Sequence, residues 1–280
     1  ISACYSRNRE RAANFAVKNG ASCFFDSLEE MARSDRLDAV YIASPNALHY
    51  EQSRLFLQNN KHVLVEKPAT TTSEQSRELY ALAEKNGLVY AEAIMSIHTP
   101  AFSVLKKALE GAGRLRTVNI VFCQLSSKYE AYKEGKNPNI FNPAFHTGCL
   151  MDIGVYNLYL AAALFGKPDR IISDSVFLQS GADSNGTAIL KYGDLTVHLI
   201  YSKTGQSYSP SEFIGENYTI SVDSVSQLTG IDRIDKNGRI NLVSHDISRA
   251  VVMSGEAAYF RSIIQELEEN SAALTAEKKY

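Results

Sequence analysis

Along the first third of the chain, short unbroken apolar runs alternate with longer stretches in which apolar residues return every three or four positions. Ile1 to Tyr5 reads as the end of a strand. Asn8 caps a predicted helix carrying Ala12, Ala13, Phe15 and Ala16 on one side, and Gly20 supplies its left-handed stop. Cys23 to Phe25 is a short strand, and Asp26-Ser27-Leu28-Glu29 has the capping-box pattern of a helix through Arg33. Residues 38–43 (DAVYIA) predict a further strand, after which Ser44-Pro45-Asn46 turns into a helix with Leu55, Phe56 and Leu57 as packing candidates. The run His62-Val63-Leu64-Val65-Glu66 follows and is stopped at Lys67-Pro68. Thr72-Ser73-Glu74-Gln75 opens another helix closed by Gly87, and Leu88 to Glu92 is one more strand. Strands separated by helical patterns of this length imply right-handed βαβ units and a parallel, doubly wound α/β sheet.

Past residue 93 the texture changes. Pro100 begins a predicted helix through about Glu110, with Phe102, Leu105 and Leu109 at helical spacing and Gly111-Ala112-Gly113 ending it. Thr117 to Leu125 alternates as a strand. Residues 126–146 are polar and rich in Asn, Lys, Tyr and Pro, the length of a functional or mobile loop. After an alanine- and leucine-rich helix ending at Gly166, strand-like runs cover 170–178, 187–191, 196–201 and 214–222, with turns at Gly193-Asp194 and Lys236-Asn237-Gly238. Residues 255–269 are helical. The pattern is that of a second, α+β domain built on a mostly antiparallel open sheet. The predicted boundaries are 1–98 for the first domain and 99–280 for the second.

Composition narrows the function classes. The 280 residues are 45% hydrophobic and 21% charged, with a net charge of −2 and both signs interspersed. That is ordinary globular usage with no basic stripe, so neither nucleic acid nor an anionic membrane is an expected partner. No apolar run approaches the length of a membrane span. Cys4, Cys23, Cys123 and Cys149 lie far apart, without a CxxC pair or histidine at zinc spacing. They read as core residues in a reducing compartment, which favours a cytoplasmic protein with no metal site.

Two stretches carry candidate chemistry. In the first, Lys67 leaves the carboxyl end of a buried strand, where ligands bind in open α/β sheets, and Pro68 bars it from the helical region. The same residue could instead cap the strand with no chemical role. In the second, Thr147-Gly148-Cys149-Leu150-Met151-Asp152-Ile153-Gly154-Val155-Tyr156-Asn157, a carboxylate and a phenol stand four apart and share a face if helical. Asp152 could equally be an N-cap and Tyr156 a packing residue. Arg7 offers a charged fork beside the small donor Ser6, suited to a phosphate or to solvent. Asn46 can line a ligand or cap a helix, and His49 can pack in a first turn.

Glu66-Lys67-Pro68 after an apolar run, together with the later Asp152-x-Gly154-x-Tyr156, resembles the two signatures of the Gfo/Idh/MocA oxidoreductase superfamily. Tyrosine in the second motif is similar to the glucose–fructose oxidoreductase and dihydrodiol dehydrogenase branch. The resemblance implies a Rossmann domain, NADP as cofactor (NAD possible), and hydride transfer between nicotinamide and a sugar-like or diol substrate. It implies Lys67, Tyr156 and Asp152 as catalytic residues, with Tyr156 as general acid/base, its phenol lowered from an ordinary pKa near 10. It implies Ser6, Arg7, Ser44, Pro45, Asn46, His49, Glu66, Lys67, Pro68 and Glu92 along the cofactor, and a Lys67–Pro68 bond that is often cis. The usual glycine triplet of the second motif is reduced here to Gly148-Cys149, which puts the loop's approach to substrate in question. No GxGxxG phosphate fingerprint occurs, so the resemblance places the first strand, glycine turn and first helix before Ile1; a targeting signal stays open. A polyhydroxylated small substrate and a homo-oligomer (dimer or tetramer) are the expected partners. The alternative is a regulatory protein that binds dinucleotide and sugar without turnover.

Overall fold

The computed structural model describes residues 1–277, with side chains to residue 270; positions 278–280 of the predicted second domain lie outside the described residues. The chain forms two compact units. One comprises Ile1–Ala93 together with the last helix from Phe260, and the other Ile94–Tyr259.

In the first unit strands and helices alternate as β1 (Ala3–Tyr5), α1 (Arg9–Asn19), β2 (Cys23–Phe25), α2 (Leu28–Arg33), β3 (Ala39–Ile42), α3 (His49–Gln58), β4 (His62–Glu66), α4 (Ser73–Asn86) and β5 (Tyr90–Ala93). β1 pairs with β2, and β3, β4 and β5 form a three-stranded sheet in that order, every pair parallel. The caps are those the sequence announces. Asn8 accepts the Arg11 N–H at 2.8 Å, Thr72 accepts the Gln75 N–H at 3.3 Å, and α4 closes on Gly87 at φ 64°. Phe56, Leu57, Val63, Val65 and Leu79 are buried together between helices and sheet. Each such side chain contributes about 1.5–3 kcal/mol by leaving water. β4 is apolar on both faces because its other face is covered too: Leu64 and Ala93 pack against Phe260 of the last helix.

The second unit continues with α5 (Pro100–Glu110), β6 (Leu115–Cys123), α6 (Tyr129–Lys133), α7 (Val155–Phe165), β7 (Arg170–Phe177), β8 (Asp183–Tyr192), β9 (Leu195–Ser202), β10 (Ser211–Gly215), β11 (Thr219–Ser224), β12 (Thr229–Asp235), β13 (Gly238–Val243) and the part of α8 (Arg249–Glu277) that precedes Phe260. The eight strands form one sheet in the order β13-β12-β11-β10-β6-β9-β8-β7, antiparallel except for the parallel pair β6–β9. One face carries the core, with Leu105 of α5 and Leu160 of α7 packed on Val118, Ile120, Leu199 and Phe213. The other face is open: Ile172, Val176 and Ile200 are exposed on it.

Three expectations change here. The single strand predicted over 214–222 is a hairpin, β10 and β11, because Gly215-Glu216-Asn217 turns the chain. The turn is anchored by the Asn217 N–H on the Ala112 carbonyl at 2.9 Å. Residues 126–146 are not a bare loop. α6 and two 3₁₀ turns fold around the fully buried Phe141, whose ring meets Tyr129 and Tyr132. Finally, the apolar stretch Pro143–Phe165 does reach span length by composition. It is broken into separate turns and a helix, and half of it is buried within this unit.

Candidate active site

β3, β4 and β5 end side by side, and the first group of predicted site residues follows those ends. Lys67 comes directly after β4, half-buried, and the Lys67–Pro68 peptide is cis. Glu66 is held on both oxygens: the Tyr41 hydroxyl donates to one, and the Lys67 N–H donates to the other at 3.2 Å. Glu92 of β5 accepts the Ala69 N–H at 2.9 Å. Burial pushes its carboxyl up to about 7, against the opposing pull of that N–H and of the Lys67 ammonium. His49 is fully buried at the start of α3, with ring nitrogens 2.8 Å from the Pro68 carbonyl oxygen and 2.7 Å from that of Ser44. Both nitrogens are thus occupied by backbone that follows β3 and β4. Ser44 and Pro45 make the turn after β3, and Asn46 opens the short 3₁₀ turn Asn46–Leu48. Ser6 and Arg7 lie elsewhere, after β1. The Ser6 hydroxyl accepts the Asn8 N–H at 3.3 Å beside the α1 N-terminus, and Arg7 is exposed.

The second group belongs to the other unit. Gly148 has φ 154°, and a Cβ there would collide with the Asp183 carboxylate, so glycine is required. The other oxygen of Asp183 accepts the Leu150 N–H at 2.7 Å. Next comes a π turn, Leu150–Gly154, before α7 begins at Val155. Asp152 therefore sits in a wider turn than the regular α-helix that the four-residue spacing predicts. The turn lies against the Tyr201 ring, which a Cβ on Gly154 would approach to 3.0 Å. Turns of this kind recur at functional sites. Cys149, standing where a glycine is usual, is buried with Ile153 and Tyr201. Burial drives its thiol well above the ordinary range, so it acts as packing.

Asp152 is met by the Lys203 ammonium at 2.5 Å. Tyr156, in the first turn of α7, is buried with its ring edge-on to Phe122, centroids 6.0 Å apart. The side-chain amide of Asn157 donates to the Ile120 and Ile200 carbonyls at 3.2 and 3.0 Å, pinning the start of α7 across the β6–β9 pair. A cavity of about 260 Å³ elsewhere on this sheet, lined by residues such as Asp174, Asn185 and Thr187, contains none of the predicted site residues.

Sequence reasoning missed Tyr41, Asp183 and Lys203. For Lys203 a signal existed: like Lys67, it is a lysine directly following an apolar strand, β9. Nothing in the sequence around Tyr41 or Asp183 reveals that they meet Glu66 and Gly148.

Comparison with known proteins decides the family. The model for oxidoreductases with an NAD-binding Rossmann fold matches residues 1–94, and the Gfo/Idh/MocA C-terminal domain model matches residues 105–221. The chain belongs to the Gfo/Idh/MocA oxidoreductase family. A scyllo-inositol 2-dehydrogenase (NADP(+)) of Bacillus subtilis is 41% identical over 99% of the chain and 84% of that protein. An uncharacterized oxidoreductase of Escherichia coli is 38% identical over 95% of the chain and 81% of its own length. Among solved structures, a 3-ketoreductase from Actinomadura kijaniata in complex with TDP-benzene and NADP superposes with a TM-score of 0.80 at 23% identity, covering 96% of this chain and 82% of that one. At that identity the likeness speaks for the fold. The family resemblance and the two-part fold class are thereby borne out.

This Gfo/Idh/MocA protein presents polar groups to a dinucleotide at the ends of its parallel strands. The Ser44 hydroxyl, after β3, is buried with no hydrogen-bond partner among the described residues, a donor that a bound ligand would satisfy. Ser6 and Arg7, beside the start of α1, supply a small hydroxyl and a guanidinium where a helix N-terminus already favours an anion. The residues present fit the cofactor.

Proposed function

We propose that the chain is an NADP-dependent dehydrogenase of a cyclic polyol or sugar-like substrate, with Lys67, Tyr156 and Asp152 as its catalytic residues. The observation that carries this reading is the placement of Lys67. It is a half-buried lysine at the carboxyl end of β4, beside Glu92, in a family of oxidoreductases. The kinship to an NADP(+)-dependent scyllo-inositol dehydrogenase over nearly the whole chain supports the substrate class, and Arg7 supports the phosphorylated cofactor.

Ser6 and Arg7 would hold the 2′-phosphate. Ser44, Pro45, Asn46, Glu66, Pro68 and Glu92 would line the nicotinamide half, with His49 holding their backbone. A nicotinamide held there would supply the hydride chemistry. The chain's own groups handle everything else. In oxidation, the Tyr156 hydroxyl as phenolate takes the proton of the substrate hydroxyl as the carbonyl forms, and in reduction it returns that proton. Lys67 donates a hydrogen bond to the reacting oxygen and stabilises its negative charge, the electrostatic part of the barrier reduction. Asp152 accepts a hydrogen bond from a neighbouring hydroxyl and sets the ring's orientation. The enzyme is read as cytoplasmic, and the open face bearing Ile172, Val176 and Ile200 as the surface on which identical chains associate.

The test is a turnover panel: inositol isomers, xylose, glucose and vicinal diols, each with NADP(+) and NAD(+). Reduction of NADP(+) by at least one polyol is expected. Tight NADPH binding with no oxidation or reduction of any substrate would instead establish the non-catalytic sensor.

A further inference from the structure

Four side chains from three separate stretches of chain meet at the π turn: Cys149, Asp152, Asp183 and Lys203. Two carboxylates and one ammonium share this place, and the geometry distributes them unevenly. Asp183 is spent on the backbone, accepting the Leu150 N–H at 2.7 Å and abutting Gly148. Lys203 turns to Asp152 instead, Nζ to Oδ2 at 2.5 Å.

The position of Lys203 is fixed on both sides of its Cα. Its N–H donates to the Ser184 carbonyl at 2.9 Å, and its carbonyl accepts the Ser126 N–H at 2.8 Å. Its stem therefore leaves a rigid strand end, and its rotamer freedom is spent on one contact. Burial is asymmetric as well: the Lys203 side chain is 11% exposed and that of Asp152 is 26%. The cation lies behind and the carboxylate in front. A pair built only to neutralise an internal charge has no need of that order. An acceptor presented to a ligand and backed by a cation does, because a buried ammonium is tolerated only when paired.

We propose that Lys203 is a positioning residue of the reaction: it fixes the Asp152 carboxylate as the acceptor for a substrate hydroxyl adjacent to the reacting carbon. The site thereby selects vicinal diols over their deoxy analogues. This rests on the reading of Asp152 as substrate anchor. Lys203 itself touches Asp152 and acts through it.

The experiment compares Lys203→Met, Lys203→Arg, Asp152→Asn and the double variant in the full chain. The circular dichroism spectrum and the urea midpoint serve as the check that each variant is folded. With a polyol substrate, Lys203→Met should lower kcat/KM roughly 10- to 100-fold, as loss of a positioned group does. Lys203→Arg should restore part of that loss. Added to Asp152→Asn, Lys203→Met should cost less than about twofold more, since the two act as one unit. With a substrate lacking the adjacent hydroxyl, Lys203→Met and wild type should agree within about twofold.

A second readout needs no turnover: the carboxyl carbon of Asp152 followed by NMR against pH. Charged and titratable groups of the same cluster are Lys203, which follows β9, Asp183 at the start of β8, and Cys149 before the turn. Removing the ammonium should move the Asp152 titration to higher pH in Lys203→Met. Equal kcat/KM on polyols in Lys203→Met and wild type would overturn the proposal, as would an unshifted Asp152 titration. If the wild type oxidises no polyol at all, the dehydrogenase reading fails by that result, and the titration still decides whether Lys203 holds Asp152.

Discussion

The two groups of predicted site residues are built on opposite principles. After β3, β4 and β5, the polar side chains are anchored mainly by backbone nearby in the fold. His49 sits on the Ser44 and Pro68 carbonyls, Glu92 on the Ala69 N–H, and Glu66 on the Lys67 N–H. In the second unit the key contact is charge to charge, Asp152 on Lys203, between residues fifty-one positions apart. The first arrangement rests on backbone partners that carry no charge. The second depends on both partners staying ionised. What differs, then, is where each unit is vulnerable: one to loss of a single amine at the strand end, the other to loss of a charge.

That contrast can be broken or sharpened by measurement. The largest effect is expected at Lys67. Lys67→Met should reduce kcat about 10³-fold with NADPH affinity nearly unchanged, whereas Asp152→Asn should cost about 10²-fold and act mainly on KM. Steady-state kinetics with fluorescence titration of NADPH would separate these, and equal losses in the same parameter would erase the distinction.

Next is Glu92. Its carboxyl is raised from 4.5 to about 7 in the folded chain. Between those values the folded state holds more protons than the unfolded one, so stability falls as pH rises from about 4.5 to 7 and is level above that. Glu92→Gln should flatten this slope, a difference of order 3 kcal/mol at most. Urea denaturation at pH 5 and pH 8 reads it, and an unchanged slope would show that Glu92 ionises freely.

The smallest effect concerns Arg7, which is exposed. Arg7→Ala should weaken NADPH about tenfold and leave NADH within about twofold. Equal weakening of both would remove Arg7 from phosphate recognition.

How far these features could be read from the sequence follows the same divide. Local signals were reliable. Asn8, Thr72, Gly20 and Gly87 cap where capping chemistry places them, β4 spans the predicted run, and α5 begins at Pro100. Where a side chain's partner lies far along the chain, the signal fails. Lys203 and Asp183 become meaningful only once β8 and β9 are paired and the π turn is laid on Tyr201. The π turn was illegible for a related reason: an extra residue in a helical turn answers to Gly154 packing on a ring that comes forty-seven residues later. The hairpin at 216–218 was missed because its Gly-Glu-Asn turn draws its anchor from Ala112, on the far side of β6.

The His49 imidazole is a mechanical brace. Because His49 grips a carbonyl from each of two neighbouring loops, those loops cannot be displaced independently without breaking one of its contacts. Substituting that ring would therefore loosen the lysine's footing from a distance, with no change to the lysine itself.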